Sequence, residues 1–458
     1  MNLKPMVIYI APVQSRSGYG EHSRDIVRAL IQMDKYDIKI VPIRWGNTPL
    51  NALKDGQDDD ILNLILKSPQ LPRKPEISIQ LTVPNEFNPG VAQYNIGITA
   101  GIETTLCSHP WIEGLNRMDM NIVPSQFSKN VFLNTIYTQK DQMGNAIAQV
   151  KCTKPIHVVF EGTDTNIYKK LDSIPTEIRH RINTIPEDFL FLFVGHWLQG
   201  GLGADRKDVG MLIKIFLETF KGKLNKPALL LKTGSTFSKM DEEDLKNKIT
   251  SIKNSVGGDI PNIYIIHGEL TADEMNALYN HNKVKVHISF TKGEGFGRPL
   301  LEASLSEKPI IVSGWSGHLD FLPKDRAILL PGKLDKVHPS AVWKGVIEAE
   351  SQWFNVNYSY ASNVMLDVWK RYQLYLPNAR LLASENKEKF SFAKMKELLE
   401  KILDENVPTF SIPQPINLPS IPKLKKINKE NTYEVPKQIH EEDSGSEEVS
   451  QSAAGSAN

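Results

Sequence analysis

Cysteine is scarce in this sequence. The 458 residues include two cysteines, Cys107 and Cys152, and their spacing matches neither a redox pair nor a set of metal ligands. We therefore expect no disulfide scaffold, and a reducing compartment such as the cytoplasm fits this composition.

A surplus of charge is lacking as well. The formal net charge is +1 at pH 7, so the overall balance does not favour nucleic acid as a partner, and none is expected. A small net charge is compatible with a local basic patch, so peripheral contact with a membrane stays possible.

Long apolar runs are also missing. No run approaches the roughly 20 apolar residues that a membrane-spanning helix needs. Residues 6–13 are apolar, but the run is short and leads into a polar glycine loop instead of a cleavage site. Neither a secretory signal nor a membrane span is predicted.

The chain is long and apolar enough for two cores, because 40% of its residues are hydrophobic. Strand-like runs alternate with helical patterns, which predicts an α/β protein with parallel sheets. We predict domains over residues 1–183 and 187–385, joined by a linker over 175–186, and helices over 341–382 and 390–404. Residues 408–458 are rich in proline, then basic, then acidic and serine-rich, which predicts a disordered tail that is a candidate for binding a protein partner.

The most informative segment covers residues 284–321. Its pattern predicts a strand, a loop with alternate glycines, a helix that begins at Pro299, and a second strand. The glycines are Gly293, Gly295 and Gly297. Because ligands of open α/β sheets bind at the carboxyl ends of the strands, this loop is a candidate binding site, and its backbone N–H groups suit a phosphate.

Two carboxylates accompany this loop, Glu294 within it and Glu302 in the helix, with seven residues between them. Glu294 precedes the helix and can curl over its start, so both side chains can face one pocket. Carboxylates suit hydroxyl groups, and a ligand that combines hydroxyl groups with phosphates is a nucleotide sugar.

The stretch GEGFGRPLLEASLSEKPIIVSGWSG resembles the donor-site signature of retaining glycosyltransferases with the GT-B fold. The resemblance implies two Rossmann-like domains that face a central cleft, with the acceptor on the first, the donor on the second and a C-terminal helix that crosses back to the first. It implies hexosyl transfer from a nucleotide-diphosphate sugar to a glycan, lipid or protein acceptor, with retention and without a cofactor or metal. In this family the first glutamate lies against the donor sugar and the second holds the ribose, which assigns these roles to Glu294 and Glu302. Backbone groups of Gly295, Phe296 and Gly297 would bind the donor.

A second glycine loop follows the first predicted strand and contains Gly18 and Gly20. Ser23 occupies the place of the third glycine of a dinucleotide fingerprint, and Arg44 stands where an acid would bind the ribose of NAD, so NAD is not expected. The resemblance implies that Gly18 and Gly20 face the donor phosphates; a plain tight turn is the alternative.

Basic residues follow the strand-like run 189–194, after a long loop that carries Gly200, Gly201 and Gly203. The family holds the diphosphate with an arginine and a lysine, and Lys207 fits the lysine. His196 occupies the place of the arginine, so either Arg206 or His196 takes over its role; a solvated charged turn is the alternative.

Two acceptor-side candidates lie between residues 95 and 132, a stretch that resembles the acceptor-side domain of the family. They are Glu103 and His109, and a structural or solvent-facing role is the alternative for each. Two other functions stay open for the whole chain: a non-catalytic nucleotide-sugar binding protein, which the long loop and His196 would suit, and a GT-B nucleotide-sugar epimerase.

Overall fold

Parallel strands that alternate with helices make up most of the structure, as the sequence predicts. The computed structural model describes residues 3–68, 70, 71, 73–197, 201–234 and 239–411. Gly200 and most of the predicted tail lie outside these residues. Residues up to Ile412 form one compact unit, and the division into two domains near residues 183–187 stays a prediction.

The N-terminal part forms the first parallel sheet. The strands of this sheet are β1 (Met6–Ala11), β2 (Asp37–Pro42), β3 (Ile77–Leu81), β4 (Tyr94–Ile98), β5 (Met120–Val123) and β8 (Ile156–Val158). Between β5 and β8, a separate antiparallel hairpin consists of β6 (Ile136–Lys140) and β7 (Ala146–Lys151). The sheet order is β2-β1-β3-β4-β5-β8. Its helices are α1 (Gly18–Met33), α2 (Asp59–Leu62), α3 (His109–Arg117) and α4 (Gln126–Asn134). The strands are rich in isoleucine and valine because helices or loops cover both faces of the sheet.

The second parallel sheet follows α5 (Thr176–Asn183). Its strands are β9 (Leu190–Val194), β10 (Ala228–Thr233), β11 (Ile263–His267), β12 (Val284–Ser289), β13 (Ile310–Ser313) and β14 (Ile328–Leu330). The order β11-β10-β9-β12-β13-β14 is that of a Rossmann sheet, in which the strand order reverses between the first and fourth strands. The helices between these strands are α6 (Val209–Phe220), α7 (Lys239–Val256), α8 (Ala272–Asn280) and α9 (Arg298–Ser304).

The C-terminal part returns to the first sheet. Its elements are β15 (Gly332–Lys336), β16 (Gln352–Val356), α10 (Tyr358–Lys370), α11 (Leu376–Lys389) and α12 (Phe392–Asn406). Helix α12 begins at the side-chain cap Ser391 and buries Met395, Leu399 and Ile402 in the core of the first sheet. The predicted crossing of the final helix is thus confirmed.

One prediction about local structure is wrong. Residues 342–357 are not helical, because Trp353 and Phe354 belong to β16, which pairs with β15, and Gly345 adopts a positive φ of 83°. The stretch predicted as the linker contains α5, whose Ile178 and Ile182 pack into the core below the second sheet; its role as a linker stays a prediction. Among the described residues, no helix has the length and apolar character needed to cross a bilayer.

Candidate active site

The candidate site lies where the carboxyl ends of the two sheets meet. In the second sheet the strand order reverses between β9 and β12, and the loops after these two strands carry Arg206, Lys207 and Glu294. In the first sheet it reverses between β1 and β3. Such reversal points are where open α/β sheets bind their ligands.

Glu294 is the centre of the site. One carboxylate oxygen, Oε1, lies 2.5 Å from Nζ of Lys207, and the other, Oε2, lies 3.4 Å from Nη1 of Arg206. The backbone also joins the two loops, because Lys292 N–H donates to the carbonyl of Arg206 at 2.8 Å. The structure therefore brings together Glu294, Lys207 and Arg206, the candidates that the sequence resemblance puts forward for the donor sugar and the diphosphate.

Burial and neighbouring charge shift the pKa of Glu294 in opposite directions. Burial would raise the pKa of Glu294, but the cations of Lys207 and Arg206 outweigh it and lower the pKa to about 2. Burial lowers the pKa of Lys207, because it disfavours the ammonium more than Glu294 favours it. At neutral pH Glu294 is therefore an ionised carboxylate.

The backbone of Glu294 is held from both sides. Its N–H donates to Oγ of Ser316 at 2.9 Å, and its carbonyl accepts from Gly317 N–H at 2.9 Å. Ser316 has a positive φ of 89°, which is unfavourable for a residue with a side chain and is often found at functional sites. These two hydrogen bonds hold the backbone from which the Glu294 side chain reaches Lys207 and Arg206.

The glycine loop lies directly against the first half of the molecule. A Cβ atom on Gly293 would stand 2.0 Å from the carbonyl oxygen of Glu103, and one on Gly295 would stand 2.2 Å from that of Ala100. Oγ of Ser125 donates to the carbonyl of Gly295 at 2.6 Å. Glycine is required at these two positions because backbone meets backbone there.

Glu103, an acceptor-side candidate, joins the same cluster. Its Oε1 lies 3.5 Å from Nη2 of Arg206, so Arg206 connects Glu103 to Glu294. His109 does not join it. His109 begins α3, its ring packs edge-on against Tyr137, and its Nδ1 lies 3.8 Å from Glu113.

Glu302 is buried beside Arg298. Nε of Arg298 donates to Oε1 of Glu302 at 3.0 Å, and Tyr279 approaches the other carboxylate oxygen at 3.5 Å. Burial raises the pKa of Glu302 to about 7, although Arg298 opposes the shift. The same guanidinium also forms an ion pair with Asp25 of α1 and so links the two halves of the molecule.

Glu161 lies close to this second cluster. It is buried after β8, and burial raises its pKa to about 7, with Arg298 opposing the shift and Asp25 adding to it. The Glu294 and Glu302 carboxylates thus occupy neighbouring but different surroundings, one dominated by cations and the other by acids around a single arginine.

Backbone N–H groups add donors to the site. Among the described residues, the N–H groups of Gly295, Phe296 and Gly297 make no hydrogen bond, which leaves them available to an anion. Gly297 has a φ of 98° and precedes α9. The Phe296 ring packs against Phe321 in the core, so this residue can offer a ligand only its backbone.

The two remaining glycine candidates open α1 instead of forming a free loop. Gly20 is packed, because a Cβ atom there would stand 2.0 Å from the carbonyl oxygen of Ser15, whereas Gly18 faces open space. His196 follows β9 after one residue, Gly195, and is exposed. The geometry thus favours Arg206 over His196 as the partner of Lys207.

Sequence reasoning missed three residues that shape the site: Arg298, Ser125 and Ser316. Arg298 offered a signal, since a cation in the first turn of a helix opposes the helix dipole. The two serines offered none, because their hydrogen bonds join segments that are far apart in the chain.

No protein-family model matches the sequence, and a comparison with curated proteins finds no match. Solved structures do resemble the chain. Sucrose-phosphate synthase from Thermosynechococcus elongatus aligns with a TM-score of 0.58 at 12% identity, over 88% of this chain and 99% of that one. A glycosyltransferase from Rickettsia africae gives 0.57 at 13% identity, over 88% and 98%. HepE from Anabaena, solved with UDP-glucose, gives 0.54 at 13% identity, over 88% and 100%.

These likenesses and the two parallel sheets establish the fold. The chain has the GT-B fold, an α/β architecture that the sequence resemblance predicts. At such low identities the likeness concerns the fold, and function has to be argued from the site itself.

Proposed function

We propose that this protein is a glycosyltransferase that moves a hexosyl group from a nucleotide-diphosphate sugar to an acceptor hydroxyl group, with retention and without a metal ion. The observation that carries the proposal is the convergence of Lys207 and Arg206 on Glu294 at the reversal point of the second sheet. A site of this composition suits a ligand with both a diphosphate and sugar hydroxyl groups.

The two cations would stabilise the leaving group. A nucleoside diphosphate gains negative charge as its bond to the sugar breaks, and donors that are already in place stabilise that charge without reorganisation. Lys207 and Arg206 supply positive charge, and the free N–H groups of residues 295–297 supply further donors. The proposed mechanism therefore requires no metal ion.

The carboxylates would bind hydroxyl groups. Glu294 is ionised, so it can accept hydrogen bonds from the donor sugar and stabilise positive charge at the anomeric carbon; we assign it no covalent role. Glu302 would accept hydrogen bonds from the ribose, with Arg298 holding its carboxylate in place. Glu103 reaches Arg206 from the first half of the molecule, which makes it the better acceptor-side candidate.

Donor binding is the first test. HepE was solved with UDP-glucose, so UDP-glucose is the first of several nucleotide sugars to test in a thermal-shift assay. A ligand at ~100 times its dissociation constant stabilises the folded state by about 2.7 kcal/mol. If no nucleotide sugar raises the unfolding temperature, the proposed donor site is wrong.

Transfer is the second test, with release of the nucleoside diphosphate from the best donor as the signal. We expect release to persist in EDTA and to be lost in Lys207→Met. The matched control is Lys214→Met, because Lys214 lies on the following helix, α6, in a surface pair with Glu218. NMR of the product anomer tests retention.

The two alternatives predict other results in these assays. A non-catalytic binding protein would show the thermal shift without release. An epimerase would convert the nucleotide sugar in the absence of any acceptor. Either result would replace transfer as the proposed activity while leaving the donor site in place.

A further inference from the structure

Exposed apolar side chains are concentrated in one short stretch of the first half. Leu133, Ile136, Met143 and Ile147 are 42%, 50%, 84% and 58% exposed. The other exposed large apolar side chains of the described residues are scattered along the chain. Scattered ones are ordinary, whereas a concentration marks an interaction surface.

The stretch is a hairpin that stands apart from both parallel sheets. Strands β6 and β7 pair only with each other within the described residues and are inserted between α4 and β8. The cross-strand pair Tyr137 and Val150 packs on the core beside α3, and the Tyr137 hydroxyl donates to the carbonyl of Cys107 at 2.6 Å. One face is thus anchored to the protein, while the tip is free.

The tip of the hairpin is held in shape. The Oδ1 atom of Asp141 accepts hydrogen bonds from Met143 N–H at 2.9 Å and from Asn145 N–H at 2.8 Å. Gly144 supplies the positive φ of 85° that the turn requires. A preformed turn presents Met143 to a partner without the entropic cost of ordering a loop.

Lysines outnumber acidic residues within this stretch, and the carboxylates of Glu348 and Glu350 lie near Tyr137, on the anchored face. Between residues 126 and 155 the acidic residues are limited to Asp141, whose carboxylate binds the turn, whereas the lysines are Lys129, Lys140, Lys151 and Lys154. Among the described residues, none of these lysines forms an ion pair. In the hairpin, Lys151 lies directly opposite Ile136, so cationic and apolar groups share one surface.

We propose that this surface, which we call the hairpin surface and define as residues 129–154, docks onto an anionic lipid bilayer. The apolar tip enters the boundary between headgroups and acyl chains, and the lysines bind the anionic headgroups. A second copy of the chain suits the surface less well, because a symmetric contact would bring like charges together. The proposal does not depend on the glycosyltransferase activity.

The test compares variants of the full-length chain on vesicles of phosphatidylcholine with and without phosphatidylglycerol. We expect binding to the anionic vesicles, and at least about a tenfold loss of binding in Met143→Asp, because a carboxylate at the tip opposes both insertion and the anionic surface. The matched control is Leu224→Asp, since Leu224 is 88% exposed but lies between α6 and β10. This variant should bind like the wild type.

Charge is tested separately. The double variant Lys140→Gln/Lys151→Gln should lose most of the preference for the anionic vesicles, and added salt should weaken wild-type binding. Unfolding temperatures of all variants show whether the fold is kept.

Two results would overturn the proposal. Equal vesicle binding by the wild type and Met143→Asp would place the contact elsewhere, for example in the basic residues 423–429, and absence of wild-type binding would exclude a bilayer as the partner. Light scattering tests whether a second copy of the chain covers the surface instead. A wild-type dimer that does not bind vesicles and that becomes a monomer in Met143→Asp would show that it does.

Discussion

Replacement of Lys207 by methionine should damage the protein in two separable ways. The variant removes a cation from the proposed leaving-group site and also leaves Glu294 buried without its nearest counter-charge. The Lys207 and Glu294 side chains are 16% and 9% exposed, and their charged atoms are 2.5 Å apart. Removal of one partner of a buried ion pair costs about 3–5 kcal/mol. We expect the lower end of this range, because Arg206 remains 3.4 Å from Glu294.

The rate should fall for a different reason. Loss of one group that stabilises transition-state charge lowers kcat by ~10²–10³. The two effects are separated by Glu294→Gln and by the double variant Lys207→Met/Glu294→Gln. The double variant holds neither of the two charges, so its unfolding temperature should lie above that of Lys207→Met alone. Its activity should stay as low as that of the single variants, because both proposed functional groups are missing.

The assays are thermal unfolding and release of the nucleoside diphosphate, measured for all four proteins at one pH. The stability effects should be non-additive, as is typical of residues in contact. Recovery of activity in the double variant would refute the reasoning, since it would mean that the pair serves only the fold. Additive stability effects would refute the buried ion pair itself.

The remaining predictions concern the groups around this pair. Burial raises the pKa of Glu161 and Glu302 from 4.5 to about 7. The stabilisation by these protonated groups is therefore complete below pH 4.5 and is lost as the pH rises through 7. Over this pH range the unfolding temperature should decline less in Glu161→Gln and in Glu302→Gln than in the wild type. Arg298→Met should raise the donor KM more than it lowers kcat, because it releases Glu302 and breaks the link to Asp25. Asp25→Asn should raise the donor KM less than Arg298→Met does. Equal donor KM values for the two variants in steady-state kinetics would contradict this prediction. Ser125→Ala removes the 2.6 Å hydrogen bond to the Gly295 carbonyl, which keeps only the longer one from Oγ of Ser128 at 3.4 Å, and it also removes the N-cap of α4. The variant should be less stable by about 1–3 kcal/mol and should have a raised donor KM; an unchanged donor KM would count against a role of this contact in the site.

Local pattern was sufficient for the elements that carry Glu294 and Glu302. The apolar run of β12, the alternate glycines and Pro299 predict a strand, a loop and a helix, and the structure has them in that order. The alternation of strands and helices predicts parallel sheets because each such unit must bury an apolar face. The resemblance of the glycine-rich stretch adds the GT-B fold and the return of α12, both of which the structure bears out.

The contacts within the site could not be predicted in this way. Arg298 meets Asp25 across 273 positions of the chain, and Ser125 meets Gly295 across 170. Residues 352–356 carry apolar side chains that fit a helix or a strand, and the pairing of β15 with β16 selects the strand. Periodicity reports which face of an element is buried, whereas strand order and the packing of the two sheets determine which distant side chains meet. The pKa values of Glu294 and Glu302 depend on these tertiary contacts, because burial and neighbouring charge arise only in the folded chain.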